Sequence, residues 1–160
     1  MTERTPKIEL VAKTDTEVAA WVPVAMELYE QARREAGDDA AQAAAARRAS
    51  EERFFPDGAL AEGQLAHTIL VDGEDAGWLW LGPWQDGPEW WVWDVRVHES
   101  FRRRGVARTA LLEAEGVARE HGATSLGLNV FANNEAAIAL YTALGYRPTS
   151  LHMSKALSRR

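Results

Sequence analysis

Hydrophobic positions divide the chain into two unequal stretches with different periods. Near the start, Ile8, Leu10 and Ala12 alternate with Glu9, Val11 and Lys13, a pattern suited to a first edge strand. From Thr16 to about Arg34, apolar residues recur near helical spacing: Val18, Trp21, Val22, Ala25, Leu28 and Tyr29. Pro23 falls in a first turn, where a missing N–H does no harm, if that helix begins near it. Gly37-Asp38-Asp39 breaks it, and Asp38 or Asp39 is placed to cap a second helix over Ala40–Arg53. Alanine favours helix there, but the apolar face it offers is shallow. Phe54-Phe55-Pro56-Asp57-Gly58 ends the helix.

The period then shortens. His67–Val71 and Ala76–Leu81 flank Asp72-Gly73-Glu74-Asp75, a hairpin connection. Asp86-Gly87-Pro88 is a second turn, and Glu89–Val97 is a third run rich in Trp and Val. Three strands joined by tight turns predict an antiparallel meander. Beyond residue 100 helix and strand alternate. Arg104–His121 places Val106, Ala110, Ala114, Val117 and Ala118 on one face, with Gly122 after its end. Leu126, Leu128 and Val130 alternate as a strand, and Asn133 or Asn134 caps a helix carrying Ala137, Leu140, Tyr141 and Leu144. Tyr146 to Ala156 is expected to return as one or two final strands.

With 160 residues, 46% of them apolar and 26% charged, the chain reads as one α/β domain over residues 1–160. No run approaches the length of a membrane-spanning helix, and Met1–Leu10 has no apolar signal core. Cysteine is absent, which removes disulfides, thiolate metal sites and cysteine nucleophiles, and a cytoplasmic location is the expectation. The four histidines are scattered without metal-ligand spacing, so no metal is expected. Eighteen basic against 24 acidic residues give a net charge of −6, a poor general surface for nucleic acid or anionic membrane. Against that background Arg102-Arg103-Arg104 stands out as a local basic cluster, better suited to a small polyanion than to a duplex.

The chemistry concentrates in Trp91–Thr109: strand, short turn, Arg102-Arg103-Arg104-Gly105-Val106-Ala107, then helix. A helix start leaves backbone N–H groups unpartnered and carries partial positive charge. Gly105 and Ala107 let a large anion reach that backbone, and the arginines add forked donors. Together these predict a pyrophosphate cradle. No Gly-Lys-Ser/Thr ending and no Gly-x-Gly-x-x-Gly is present, so neither a P-loop nor a dinucleotide fingerprint is written here.

Arg102-x-x-Gly105-x-Ala107 after Val95-Arg96-Val97 resembles the acyl-CoA signature Gln/Arg-x-x-Gly-x-Gly/Ala of the GNAT superfamily of N-acetyltransferases. The run from Asn129 to Tyr141 is similar to that family's strand-loop-helix, and Leu144-Gly145-Tyr146 to its ending. The likeness covers about residues 65–157. Two departures are that Ser100 stands where proline is frequent and that Ala107 closes the signature in place of glycine. The resemblance implies a mixed, mostly antiparallel sheet of about six to seven strands flanked by helices. It also implies splaying between Glu89–Val97 and Ser125–Val130, with acetyl-CoA as co-substrate in the opening. Val95 and Val97 would then offer backbone groups to the pantetheine arm. Amides from Arg103 through Arg104, Gly105, Val106 and Ala107 to Arg108 would hold the pyrophosphate. Asn129 and Asn134 would lie along the cofactor arm, and Tyr141 near the thioester sulfur.

The implied activity is transfer of an acetyl group to a primary amine by direct attack. An alkylamine of pKa near 10.4 is about 0.04% neutral at pH 7, so its proton must be taken. Asp94 is the first candidate base and Glu89 the second; strict alternation sets Asp94 on the face opposite Trp91, Trp93, Val95 and Val97. The Val95 N–H is a candidate oxyanion donor, and Tyr141 a candidate acid for the departing thiol. A small-molecule acceptor suits an acidic protein; a protein or peptide acceptor, or a non-catalytic acyl-CoA-binding module, is the alternative. A homodimer is left open. Six of the seven tryptophans fall between Trp78 and Trp93. Trp78 and Trp80 share a face and are expected in the core, whereas Trp84 and Trp90 flank a turn and are candidates for an acceptor wall or for cation–π capture of an amine.

Overall fold

The computed structural model describes residues 4–158. Five strands form one sheet in the order β1 (Ile8–Ala12), β2 (Leu65–Val71), β3 (Glu74–Pro83), β4 (Glu89–Val97) and β5 (Ser125–Leu128). The first four are mutually antiparallel, and β5 runs parallel to β4. A parallel neighbour needs a crossover, which α3 (Val106–Glu120) supplies.

Helices cover both faces. On one, α1 (Asp15–Glu35) and α2 (Ala40–Phe54) close over Trp78 and Trp80, with Val18, Trp21, Ala25, Phe54 and Phe55 completing a buried aromatic layer. On the other, Val106, Ala110, Leu111, Ala114 and Ala118 of α3 pack on Ile69, Leu79, Leu81, Trp90 and Val92. The capping boxes are Thr14 with Glu17 for α1 and Asp39 with Gln42 for α2. Pro23 lies well inside α1, which begins at Asp15 and not near the proline. The capping box and a continuous apolar face outweigh the hydrogen bond the proline removes.

Two strands carry an extra residue. In β3, Gly77 faces Ile69 while Asp75 faces Leu70, leaving Ala76 over. The neighbouring Gly77 has φ +144°, and a side-chain carbon there would lie 1.9 Å from the Arg96 carbonyl oxygen, so only glycine fits. In β4, Asp94 faces Trp80 while Val92 faces Leu81, leaving Trp93 over. Such a bulge breaks strict alternation. Trp90 and Val92, then Val95 and Val97, serve the α3 side, whereas Trp93 packs with the α1/α2 layer. Asp94 points to that same layer, since its carboxylate accepts from Trp78 Nε1 at 2.7 Å. Trp91 faces that side too, its ring beside Trp93, so the expectation that Asp94 lies opposite Trp91 and Trp93 is corrected, whereas Val95 and Val97 do lie on the other face.

The last helix, α4 (Glu135–Ala143), follows a short loop and is capped by Asn134, whose side chain accepts from the Ala137 N–H at 3.2 Å. The final strands expected over Tyr146–Ala156 are not formed. That stretch has no regular structure, Leu151, Met153 and Leu157 are exposed, and the sheet has five strands where six or seven were expected. Alternation of Leu151 and Met153 with polar neighbours is a strand signal only if an edge pairs with it.

Candidate active site

The sheet opens where the sequence placed its chemistry. β5 pairs with β4 from Glu89 opposite Ser125 to Val92 opposite Leu128, and no further. Beyond Val92 one edge of β4 is free. His98 donates its N–H to Ala76 in β3 at 2.8 Å; alternation back along the strand turns the backbone groups of Val97 and Val95 toward the open edge. The Val97 carbonyl is not vacant there, because Arg102 Nε donates to it at 3.0 Å. The first arginine of the cluster thus folds back on the strand end that the resemblance assigned to the pantetheine arm.

Between β4 and α3 the chain makes a short 3₁₀ turn over Glu99–Phe101, then bends through two left-handed residues, Arg103 at φ +61° and Gly105 at φ +73°. Gly105 is the N-cap of α3 and provides no side-chain hydrogen bond. Side chains cap α1, α2 and α4 at the corresponding place. The first amides of α3 are therefore left for an outside acceptor. A cavity of about 210 Å³ lies over them, lined by Val97, Phe101, Arg102, Arg103, Gly105, Val106, Ala107, Arg108 and Leu140. A side-chain carbon added to Gly105 would meet nothing within 4 Å. An uncapped helix start, open space and exposed arginines fit a diphosphate. Arg104 turns aside, its guanidinium over the Phe101 ring at 5.8 Å.

Asp94 lies on β4 just past the last residue paired with β5, and its charge acts on the Tyr141 phenol. Burial raises the Asp94 carboxyl above the ordinary carboxylate pKa, against the Trp78 hydrogen bond, the nearby Arg96 and the Val95 amide, which act to lower it. Burial also raises the Tyr141 phenol, and the Asp94 charge adds to the shift. The two groups thus interact although Tyr141 packs with the α3-side core and Asp94 with the other. Glu89 is exposed at the end of β4 still paired with β5, away from the opening. Asn129 is exposed just beyond β5, and Asn134 spends its side-chain oxygen on the α4 cap.

Sequence reasoning missed two features. Tyr146 lies edge-on to Tyr141 with ring centroids 5.8 Å apart. Its hydroxyl is buried without a partner, and burial first, then Glu115 and Tyr141, push its pKa up to about 12. A Gly-Tyr pair after a helix was visible, but its depth was not. The second feature concerns the tryptophans. Trp90, read as an acceptor candidate, is buried in the α3-side core against the His121 ring at 5.1 Å. Trp84 remains partly open, stacked on Trp93. Among the described residues no helix is long and apolar enough to cross a membrane, and no cluster of three His, Asp or Glu side chains is gathered for a metal.

A mixed sheet parted beside an uncapped helix start forms a slot along a free strand edge that ends at unpartnered helix amides. The acetyltransferase (GNAT) family model matches residues 22–146, and the chain belongs to that family. It is accordingly an acyl-CoA-dependent acetyltransferase. The chain is 38% identical over 109 residues to the uncharacterized N-acetyltransferase YdgE of Bacillus subtilis (strain 168), covering 66% of this chain and 69% of that protein. The crystal structure of YycN from Bacillus subtilis superposes with a TM-score of 0.85 at 26% identity, covering 96% of this chain and all of the other. The aminoglycoside N-acetyltransferase AAC(6')-Iy, solved with CoA, shares the fold at a TM-score of 0.64 and 16% identity, over 98% of this chain and 99% of its own.

Proposed function

We propose that the chain transfers an acetyl group from acetyl-CoA to the primary amine of a small molecule by direct attack. The observation that carries this reading is the free edge of β4, which begins past Val92 and leads to the uncapped start of α3. In this reading the amides of Val106, Ala107 and Arg108 and the arginine side chains bind the diphosphate. The Val95 and Val97 backbone groups align the arm, with Arg102 leaving the Val97 carbonyl as the arm arrives. Asp94 takes the proton of the incoming ammonium, and a raised pKa makes it a stronger base than an ordinary carboxylate once ionised. The amine nitrogen forms a bond to the thioester carbon, whose oxygen accepts from the Val95 N–H. The carbon–sulfur bond breaks and Tyr141 gives its proton to sulfur; the nitrogen's second proton passes through solvent to the phenolate, and Asp94 releases the proton it holds to solvent. The products are the N-acetylated amine and free CoA thiol.

Thiol release from acetyl-CoA, followed with polyamines, aminoglycosides, amino acids and peptides, tests this. Turnover with small amines is expected. Turnover with peptides alone, or none on any amine by a chain that binds CoA, overturns it. Tyr141→Phe should lower kcat by about 100-fold, the low end for general acid help since a thiolate already leaves well, with CoA affinity kept. An unchanged kcat removes Tyr141 as the acid.

A further inference from the structure

Arg53, near the end of α2, lays its guanidinium over aromatic rings instead of against a carboxylate. The central guanidinium carbon lies 4.6 Å from the Phe54 ring centre, 5.4 Å from Trp93 and 5.9 Å from Trp84. Nη2 donates to the Trp84 carbonyl at 2.8 Å. Among the described residues Arg53 makes no ion pair. The platform is continuous, with Trp84 stacked on Trp93 at 5.6 Å and planes 14° apart. Aromatic faces attract positive charge, and the carbonyl fixes one N–H donor. Both suit an alkylammonium as well as a guanidinium. The arginine that holds the place is exposed, so little beyond these contacts retains it.

The position of the platform gives it a use. The extra residue in β4 sets Trp93 and Asp94 side by side on one face, so the platform begins one residue from the proposed base. We propose that Phe54, Trp84 and Trp93 bind a second, non-reacting positive charge of the acceptor, and that Arg53 is a resident cation displaced when the acceptor enters. The inference rests on the amine-transfer reading and narrows it to dications, such as short diamines and basic amino acid derivatives. One nitrogen must lose its proton beside Asp94 to attack, and the other must keep its charge on the rings. A monoamine offers only the first.

Cadaverine and pentylamine differ by one terminal amine and test this directly. At saturating acetyl-CoA, cadaverine should exceed pentylamine in kcat/KM by about tenfold. Arg53→Ala should lower the KM for cadaverine by about three- to tenfold, and by more than for pentylamine, because a competing cation is gone. Trp84→Leu should raise the cadaverine KM and abolish the preference. Tryptophan fluorescence gives a reading free of turnover: cadaverine titrated into the CoA-bound protein should quench at lower concentration in Arg53→Ala than in wild type. Equal kcat/KM for the two amines, or an Arg53→Ala variant whose cadaverine KM and quenching curve stay put or move upward, overturns the cation site while amine transfer stands. Quenching as expected, with no acetylation of these or any other amine tested, overturns amine transfer and leaves the cation site in place.

Discussion

Gly105→Val separates what the α3 start does for folding from what it does for binding. Gly105 sits at φ +73° and ψ 11°, and a side chain built on it touches nothing within 4 Å. The cost to the fold is therefore conformational alone, about 1–2 kcal/mol for an L-residue held left-handed, with a β-branched residue at the upper end. In a chain of this size each kcal/mol lowers Tm by about 2–4 °C, so a loss of about 2–8 °C is expected with secondary structure retained. The cost to binding is independent, since the new side chain enters the cavity that Gly105 lines with Arg102 and Ala107. A hydrogen bond to a charged group is worth about 1.5–3 kcal/mol. Losing one such contact weakens CoA by about ten- to a hundredfold. Calorimetric titration with CoA and acetyl-CoA measures that loss, and a thermal melt measures the other. Gly105→Asn is the control: asparagine accepts the left-handed region more readily, so it should recover Tm without recovering affinity. A folded Gly105→Val protein that binds CoA with undiminished affinity refutes the cradle.

Two further substitutions test the site and the core. Because burial raises the Asp94 pKa in the fold, its contribution to stability is full below the ordinary carboxylate pKa and is lost as pH rises through the raised value. Asp94→Asn keeps an acceptor for Trp78; it should melt higher than wild type near neutral pH, match it in acid, and turn over more slowly. A melting difference independent of pH refutes the assignment. Leu111→Ala removes a fully buried side chain between α3 and the sheet and should cost about 2–5 kcal/mol in urea unfolding; a smaller loss would mean that the α3-side core collapses onto the space.

Most of the frame was legible because it follows from period and punctuation. The meander from Leu65 to Val97 and the helix from Val106 have the alternation and turn residues their geometry requires. So did the helix start at Gly105, where absence of bulk next to arginines is itself the signal. The bulge at Trp93 was not legible. Nothing in Trp-Val-Trp-Asp distinguishes a regular strand from one with a residue to spare, and the spare residue decides the face on which Asp94 lies. The Arg53 platform was hidden for a related reason: it joins the end of α2 to the β3–β4 connection, 31 residues apart, and no local period links them. Leu151 and Met153 misled in the opposite direction, offering the alternation of a strand to a sheet that does not take it up.

The surplus residue in β4 also has an effect on the gap beside it. A bulged strand bends and twists more strongly, and the ladder to β5 stops at Val92, immediately before Trp93. On the opposite edge the ladder to β3 resumes at Asp94 and runs on to Val97. One insertion thus pries the sheet apart on a single flank while its other flank stays stitched. The width of the slot is then a property of chain length at that point and not of the indole that occupies it. Exchanging the indole would alter what the slot greets, whereas deleting the position would close it.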